Sequence, residues 1–261
     1  MNQPIVIVGI GELGGVFAKA FLRNGMPVYP VTRRMNISEQ TDYLPQPELV
    51  LVAVAERDFK VVMATIPDQW RNCIGLLQNE LLPRDWKAYK IANPTIISVW
   101  FEKKKGRECK VLIPSPVHGP KAGLIAESLK AIEIPSKVLS SEEELLYELV
   151  RKNVFILTIN IAGTVLPEGT TTGTLWKQHN ELARTIAADV IDIQEWLTGA
   201  TFRRKKLFDS LAEGLYGDPQ HICKGRAARE RLTRVVDIAD EAGLQIPRIR
   251  ELQTRLELVD Y

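Results

Sequence analysis

The chain has 261 residues, enough to bury a sizeable core and to form one or two domains. Its 45% hydrophobic and 25% charged residues are an ordinary globular composition, which excludes a disordered, collagenous or disulfide-scaffold protein. A formal charge of +2 gives no general argument for a nucleic-acid or membrane partner, and neither is expected.

Three widely spaced cysteines, Cys73, Cys109 and Cys223, have no metal-like pairing and read as reduced thiols of a cytoplasmic protein. Glycines interrupt the first apolar stretch from residue 9, which argues against a secretion signal. The longest apolar run, Val154 to Ala162, is too short to span a bilayer.

Up to residue 139 the chain alternates β-branched runs with helical stretches. Ile5–Val8, Val28–Val31, Leu49–Val54, Tyr89–Ala92, Ile96–Trp100 and Lys110–Ile113 are expected strands, apolar on both faces as in a sheet covered on each side. Glu12–Asn24, stopped by Gly25, is an expected helix, with further helical pieces at Phe59–Ala64 and Ile74–Leu82. This βαβ rhythm predicts an α/β Rossmann domain over residues 1–139.

From Ser140 the strand signal stops. Glu142–Glu144 after two serines open a helix expected to reach Ala162, and its second half is apolar on nearly every side. Trp176–Leu197, Arg203–Glu213, Arg226–Glu241 and Arg248–Leu258 follow as helices, predicting an all-helical domain over residues 140–261. Trp176, Trp196, Phe202 and Phe208 suit core positions, and the same helices could also pair two subunits in a homodimer.

Ile5-Val6-Ile7-Val8-Gly9-Ile10-Gly11-Glu12-Leu13-Gly14 is strand, glycine turn and helix in succession. Gly9 permits the tight turn, Gly11 lets the backbone approach a pyrophosphate, and Gly14 lets the helix pack on the strand. A dinucleotide phosphate would sit on the free N–H groups around Glu12 and Leu13 at the helix start. A single glycine fingerprint is weak evidence, but here it follows a strand and opens a helix.

The second strand should end on the residue that reads the adenosine ribose, an acid where the cofactor is NAD. This chain offers Thr32-Arg33-Arg34 instead, and two guanidinium groups suit a 2′-phosphate. The expected cofactor is therefore NADP(H). His118, His179 and His221 are isolated, and no metal site is expected.

The central helix carries a second signal. At 100° per residue Asn153 and Asn160 lie within about 20° of each other, and Lys152 lies about 80° from Asn160. Each polar group buried there without a partner would cost about 1–3 kcal/mol, a penalty that exposure to a cleft removes.

With its glycine turn and Arg151-Lys152-Asn153 to Asn160 helix, the chain resembles the ketopantoate reductases. These belong to the superfamily with a 6-phosphogluconate dehydrogenase-like C-terminal domain, which includes glycerol-3-phosphate dehydrogenase. Glu241-Ala242-Gly243-Leu244-Gln245-Ile246-Pro247 is similar to that family's turn before its final helix.

The resemblance implies an NADP-dependent oxidoreductase with Lys152 as catalytic acid, Asn160 orienting a small-molecule substrate, and Asn93 beside the nicotinamide. It also shows departures: Ala55 stands where the family has a lysine, Ile156 where it has an asparagine, and Ala227 where it has a substrate-binding glutamate. Pro94 replaces the glycine that usually follows the asparagine at Asn93. The expected substrate is thus a small acidic carbonyl or imine compound other than ketopantoate. Lys224 and Arg226 could hold its phosphate or carboxylate. The alternative is a non-catalytic NADP(H)-binding protein with a structural or redox-sensing role.

Overall fold

The computed structural model describes residues 3–259. Strand β1 (Ile5–Val8) leads into helix α1 (Glu12–Arg23), then β2 (Val28–Val31) and β3 (Leu49–Val52). After these come α2 (Glu56–Thr65), β4 (Ile74–Leu76), α3 (Pro83–Lys87) and β5 (Thr95–Ile97). A hairpin of β6 (Phe101–Glu102) and β7 (Lys110–Val111) precedes β8 (Ser115–His118), α4 (Ala122–Lys130) and β9 (Ser136–Val138). Six helices complete the chain: α5 (Glu142–Val165), α6 (Thr172–Gln178), α7 (Asn180–Thr198), α8 (Arg204–Gly217), α9 (Ala228–Ala242) and α10 (Pro247–Val259). The α/β-then-helical order is the one expected. Two compact units part between Glu148 and Leu149, inside α5.

In the first unit seven strands form one sheet in the order β2-β1-β3-β4-β5-β8-β9. β1 to β5 run parallel, β8 antiparallel to β5, and β9 parallel to β8. Every residue of β1 and β3 is buried, so the two faces must both be covered. On one face Ile5, Ile7, Leu49 and Leu51 pack with Phe17 and Phe21 of α1 and Ile125 and Leu129 of α4. Phe17 and Phe21 are fully buried, and each contributes about 1.5–3 kcal/mol over an exposed ring. The hairpin adds Phe101, whose ring centroid lies 6.0 Å from that of Phe17.

Three expectations are corrected. Ile74–Leu82 is not helical: its first three residues form β4, buried between β3 and β5. A short apolar run buried on both faces has no periodicity to separate strand from helix. Tyr89–Ala92 is not a strand, because Tyr89 and Ile91 donate to Trp86 O as a turn closing α3, with Lys90 at φ 58°. Trp176–Leu197 is two helices, broken at His179, which ends α6 and begins α7. The segment from β8 to β9 was unforeseen. Pro116 in β8 and the brevity of β9 hide their strand character.

In the second unit, α5 is joined by α7 and α9, whose buried faces repeat at helical spacing: Ala183, Ile186, Ala187, Val190 and Ile193 on one, Ala228, Leu232, Val235, Val236 and Ala239 on the other. Asp189 of α7 is buried and accepts from Ile249 N at 2.9 Å, one of the orphan donors at the start of α10. Burial pushes its carboxyl above the usual carboxylate range, against the hydrogen bonds from the α10 backbone that pull it down. Among the described residues no helix is long and apolar enough to cross a membrane.

Asp189→Ala leaves the buried Ile249 N–H without an acceptor and is expected to cost about 1–3 kcal/mol. Asp189→Asn, which keeps an acceptor oxygen, should lose less. Thermal unfolding of the two variants beside the wild type checks the order.

Candidate cofactor and substrate sites

β1 has β2 on one side and β3 on the other, so the order of strands reverses at β1. Ligands of open α/β sheets bind at such a reversal, beyond the carboxyl ends of the strands. The register is flush there: Val8 pairs with Val31 and with Val52. Gly9, Thr32 and Ala53 therefore leave the sheet side by side. Gly9 N donates to Val31 O and Ala53 N to Val8 O, which holds the three exits together.

The glycines divide the work. Gly9 has φ 96°, and a Cβ on it would stand 2.9 Å from Ala53 O. A Cβ on Gly14 would stand 2.0 Å from Gly9 O, so α1 can approach the turn only because Gly14 has no side chain. Gly11 differs: nothing lies within 4 Å of its Cβ direction, and as N-cap of α1 it offers no side-chain cap. The uncapped N–H groups of α1 open onto that space. An anion of pyrophosphate size can take the place that a Cβ at residue 11 would invade.

Thr32, Arg33 and Arg34 are exposed in a turn closed by Met35 N donating to Thr32 O. Neither arginine makes an ion pair or side-chain hydrogen bond with a described residue. Two unneutralised guanidinium groups thus stand at the carboxyl end of β2.

Asn93 lies elsewhere. It is exposed just before β5, which runs parallel to β4, and so belongs to the amino edge of the sheet, opposite the glycine turn. The asparagine on the carboxyl edge is Asn79, three residues past β4, whose Nδ2 donates to Glu56 Oε1 at 2.9 Å. It follows Gln78 and precedes Glu80, which holds φ 61°. Reading Ile74–Leu82 as a helix hid this asparagine; read as a strand, the run would have placed it at a strand end. Ala55 is the N-cap of α2 and is exposed.

In the helical unit, Lys152 is half-buried with Nζ 5.6 Å from the centre of the Phe155 ring. Asn160 lies two turns further along, about 12 Å by the helical rise. Its Nδ2 donates to Ile156 O at 2.8 Å, and its Oδ1 accepts from Arg231 Nη1 at 3.0 Å. Asn153 Nδ2 donates to Gln194 Oε1 at 2.9 Å, with both residues buried. The buried amides of α5 are thus partnered within the unit.

The Lys224–Arg226 loop is seated on Asn160. A Cβ on Gly225 would stand 2.6 Å from Asn160 Oδ1, and one on Gly163 would stand 2.6 Å from Lys224 N. Lys224 and Arg226 are exposed at the edge of this contact, just before α9. Arg231, which the sequence analysis does not single out beside Lys224 and Arg226, reaches Asn160 from α9. It falls three residues after buried Ala228, in the buried stripe of α9.

Among the described residues no group of three histidine, cysteine, aspartate or glutamate side chains is gathered for a metal. The cysteines are free, and burial pushes the Cys73 thiol up to about 11 and that of Cys223 up to about 12. Neither has the thiolate character of a nucleophile.

No family model matches the sequence, and no curated protein matches it. Solved structures do match, nearly end to end. The 2-dehydropantoate 2-reductase from Methylococcus capsulatus is 12% identical with a TM-score of 0.71, covering 98% of this chain and 96% of that one. D-mandelate dehydrogenase with NADH and anilino(oxo)acetate is 13% identical, TM-score 0.67, covering 98% of both chains. The dimeric ketopantoate reductase from Staphylococcus aureus is 12% identical, TM-score 0.63, again covering 98% of both. The chain has the ketopantoate-reductase-like fold. At such identity the likeness defines the backbone, and the chemistry must be argued from this chain's own residues.

Gly14→Ala forces a methyl group into the Gly9 carbonyl and is expected to destabilise the protein by more than about 2 kcal/mol. Gly15→Ala, where nothing lies within 4 Å, should be neutral or stabilise α1 by about 0.5–1 kcal/mol. Chemical denaturation separates the two.

Proposed function

We propose that the protein is an NADP(H)-dependent oxidoreductase acting on a small acidic carbonyl or imine compound. The observation that carries the reading is the uncapped start of α1, opening onto Gly11 at the reversal of strand order, with Arg33 and Arg34 unneutralised beside it. We assign cofactor binding to residues 1–139, and substrate binding and subunit pairing to residues 140–261. Structures of the same fold include a dehydrogenase with NADH bound and a dimeric reductase, which agrees with a nicotinamide cofactor and with a homodimer.

In this reading Gly9, Gly11, Glu12, Leu13 and Gly14 hold the pyrophosphate through backbone N–H groups. Thr32, Arg33 and Arg34 take the 2′-phosphate through charge-assisted hydrogen bonds. Asn79 replaces Asn93 as the asparagine on the cofactor edge. When bound, the nicotinamide supplies or accepts a hydride. Lys152 Nζ gives a proton to the oxygen or nitrogen of the reduced group, and its position against the Phe155 ring limits its contact with water. Asn160 orients the substrate with the amide hydrogen and the oxygen lone pair that Ile156 and Arg231 leave over. Lys224 and Arg226 draw in its anionic group. Ala227 offers no carboxylate in that segment, which supports a substrate other than ketopantoate.

Two measurements test this reading. Arg33→Ala with Arg34→Ala should raise the NADPH dissociation constant by at least about tenfold per lost bidentate contact, roughly 1.4 kcal/mol each, while NADH changes little. Equal losses for both cofactors would remove the 2′-phosphate assignment. Lys152→Ala should lower kcat on 2-oxo acids or imines by about 10²–10⁴ with NADPH affinity unchanged. Tight NADPH binding without turnover in the wild type would favour a structural or redox-sensing role instead.

A further inference from the structure

Gln78 is 9% exposed at the carboxyl edge of the sheet, and the roles assigned above do not use it. The β3–β4 ladder ends at the pair Val52 and Leu76. Beyond it, the Gln78 side chain takes over from the backbone. Its Nε2 donates to Val52 O at 2.7 Å and reaches Val54 O at 3.4 Å, while its Oε1 accepts from Leu77 N at 3.2 Å. Two carbonyls on one end of the amide and an N–H on the other fix which way the group points.

The carbonyls it holds border the glycine turn. A Cβ on Gly9 would stand 2.9 Å from both Ala53 O and Val54 Cγ1, and Gly14 packs on Gly9 O and toward Ala53 Cβ. An unbroken series of contacts therefore runs from Gln78 through Val52–Val54 to Gly9 and on to the start of α1.

We propose that Gln78 is a positioning residue of the dinucleotide site, its carboxamide fixing the turn between β3 and α2 as the wall against which Gly9 sets the phosphate-binding backbone. It touches no cofactor atom itself and acts by holding Val52 O and Val54 O. Sites of this kind lose affinity when the supporting shell shifts, even with every contacting group still present. The inference rests on the cofactor reading above.

The test is NADP⁺ titration of the full chain by calorimetry. Gln78→Leu removes the donor at similar size and should weaken NADP⁺ binding about tenfold, at temperatures where circular dichroism shows the variant fully folded. A group with only a structural role lowers the melting temperature without changing the affinity of molecules that remain folded.

Gln78→Glu supplies the sharper readout. A protonated carboxyl can donate to Val52 O, whereas an ionised one faces two carbonyls it cannot bond, which pushes its pKa up. The ratio of variant to wild-type dissociation constants should therefore lie near one at about pH 5 and climb toward tenfold by about pH 8. Taking the ratio cancels the titration of the cofactor's own 2′-phosphate. This variant also serves if Gln78→Leu does not fold.

A wild type that binds NADP⁺ and a Gln78→Leu protein that binds it equally well would overturn the inference alone. A pH-independent ratio for Gln78→Glu would do the same. A wild type that binds no NADP⁺ would overturn the cofactor reading, and this inference with it.

Discussion

The contact between Gly14 and the carbonyl of Gly9 sets the geometry of the whole carboxyl edge. The absent side chain of Gly14 lets a helix start within van der Waals distance of a strand exit. That approach aims the first N–H groups of α1 past Gly11 into open space and gives them no internal acceptor. The same closeness presses Gly9 on Ala53 and Val54, so the exits of β1 and β3 cannot move separately. Phe17 and Phe21, fully buried further along α1, then secure the helix to the sheet. Local turn chemistry and core packing point to one arrangement, the consistency across levels that marks a foldable sequence.

The parts of this fold that were legible in the sequence are those where a period or a punctuating residue speaks. β1, β2 and α1 were read nearly to the residue, because β-branched runs are bounded by glycines there. α9 was legible from its stop at Gly243, which adopts φ 64° as a helix end requires. β4 was not, because Ile-Gly-Leu buried on both faces has no polar alternation, and its Gly75 is there for packing: a Cβ would meet Leu49 and Leu51 at 3.0–3.1 Å. A single misread strand then cost a candidate, since Asn79 has meaning only once β4 is known to end just before it.

The site was legible to the extent that its chemistry lies in local sequence. The glycine turn and Thr32-Arg33-Arg34 are contiguous motifs, and the structure sets both on the same flush edge. Partnerships between distant positions were not legible. Asn160 and Arg231 are 71 residues apart, and nothing in either segment names the other. Helical spacing shows that Arg231 belongs to a buried stripe; only the fold shows that its guanidinium ends on an amide of α5.

That partnership bears on how the two halves of the chain divide their tasks. In the first unit the polar groups at the candidate site are left open: α1 has no side-chain cap, and among the described residues no acid pairs with Arg33 or Arg34. In the helical unit the buried amides are spoken for, Asn153 by Gln194 and Asn160 by Arg231 and its own helix. The buried guanidinium of Arg231 is thereby a fixed support of the Asn160 amide, joined to it across 71 residues of chain. The tight seat of Gly225 on Asn160 ties the loop to the same support, because it brings the backbone between Lys224 and Arg226 onto the amide that Arg231 holds.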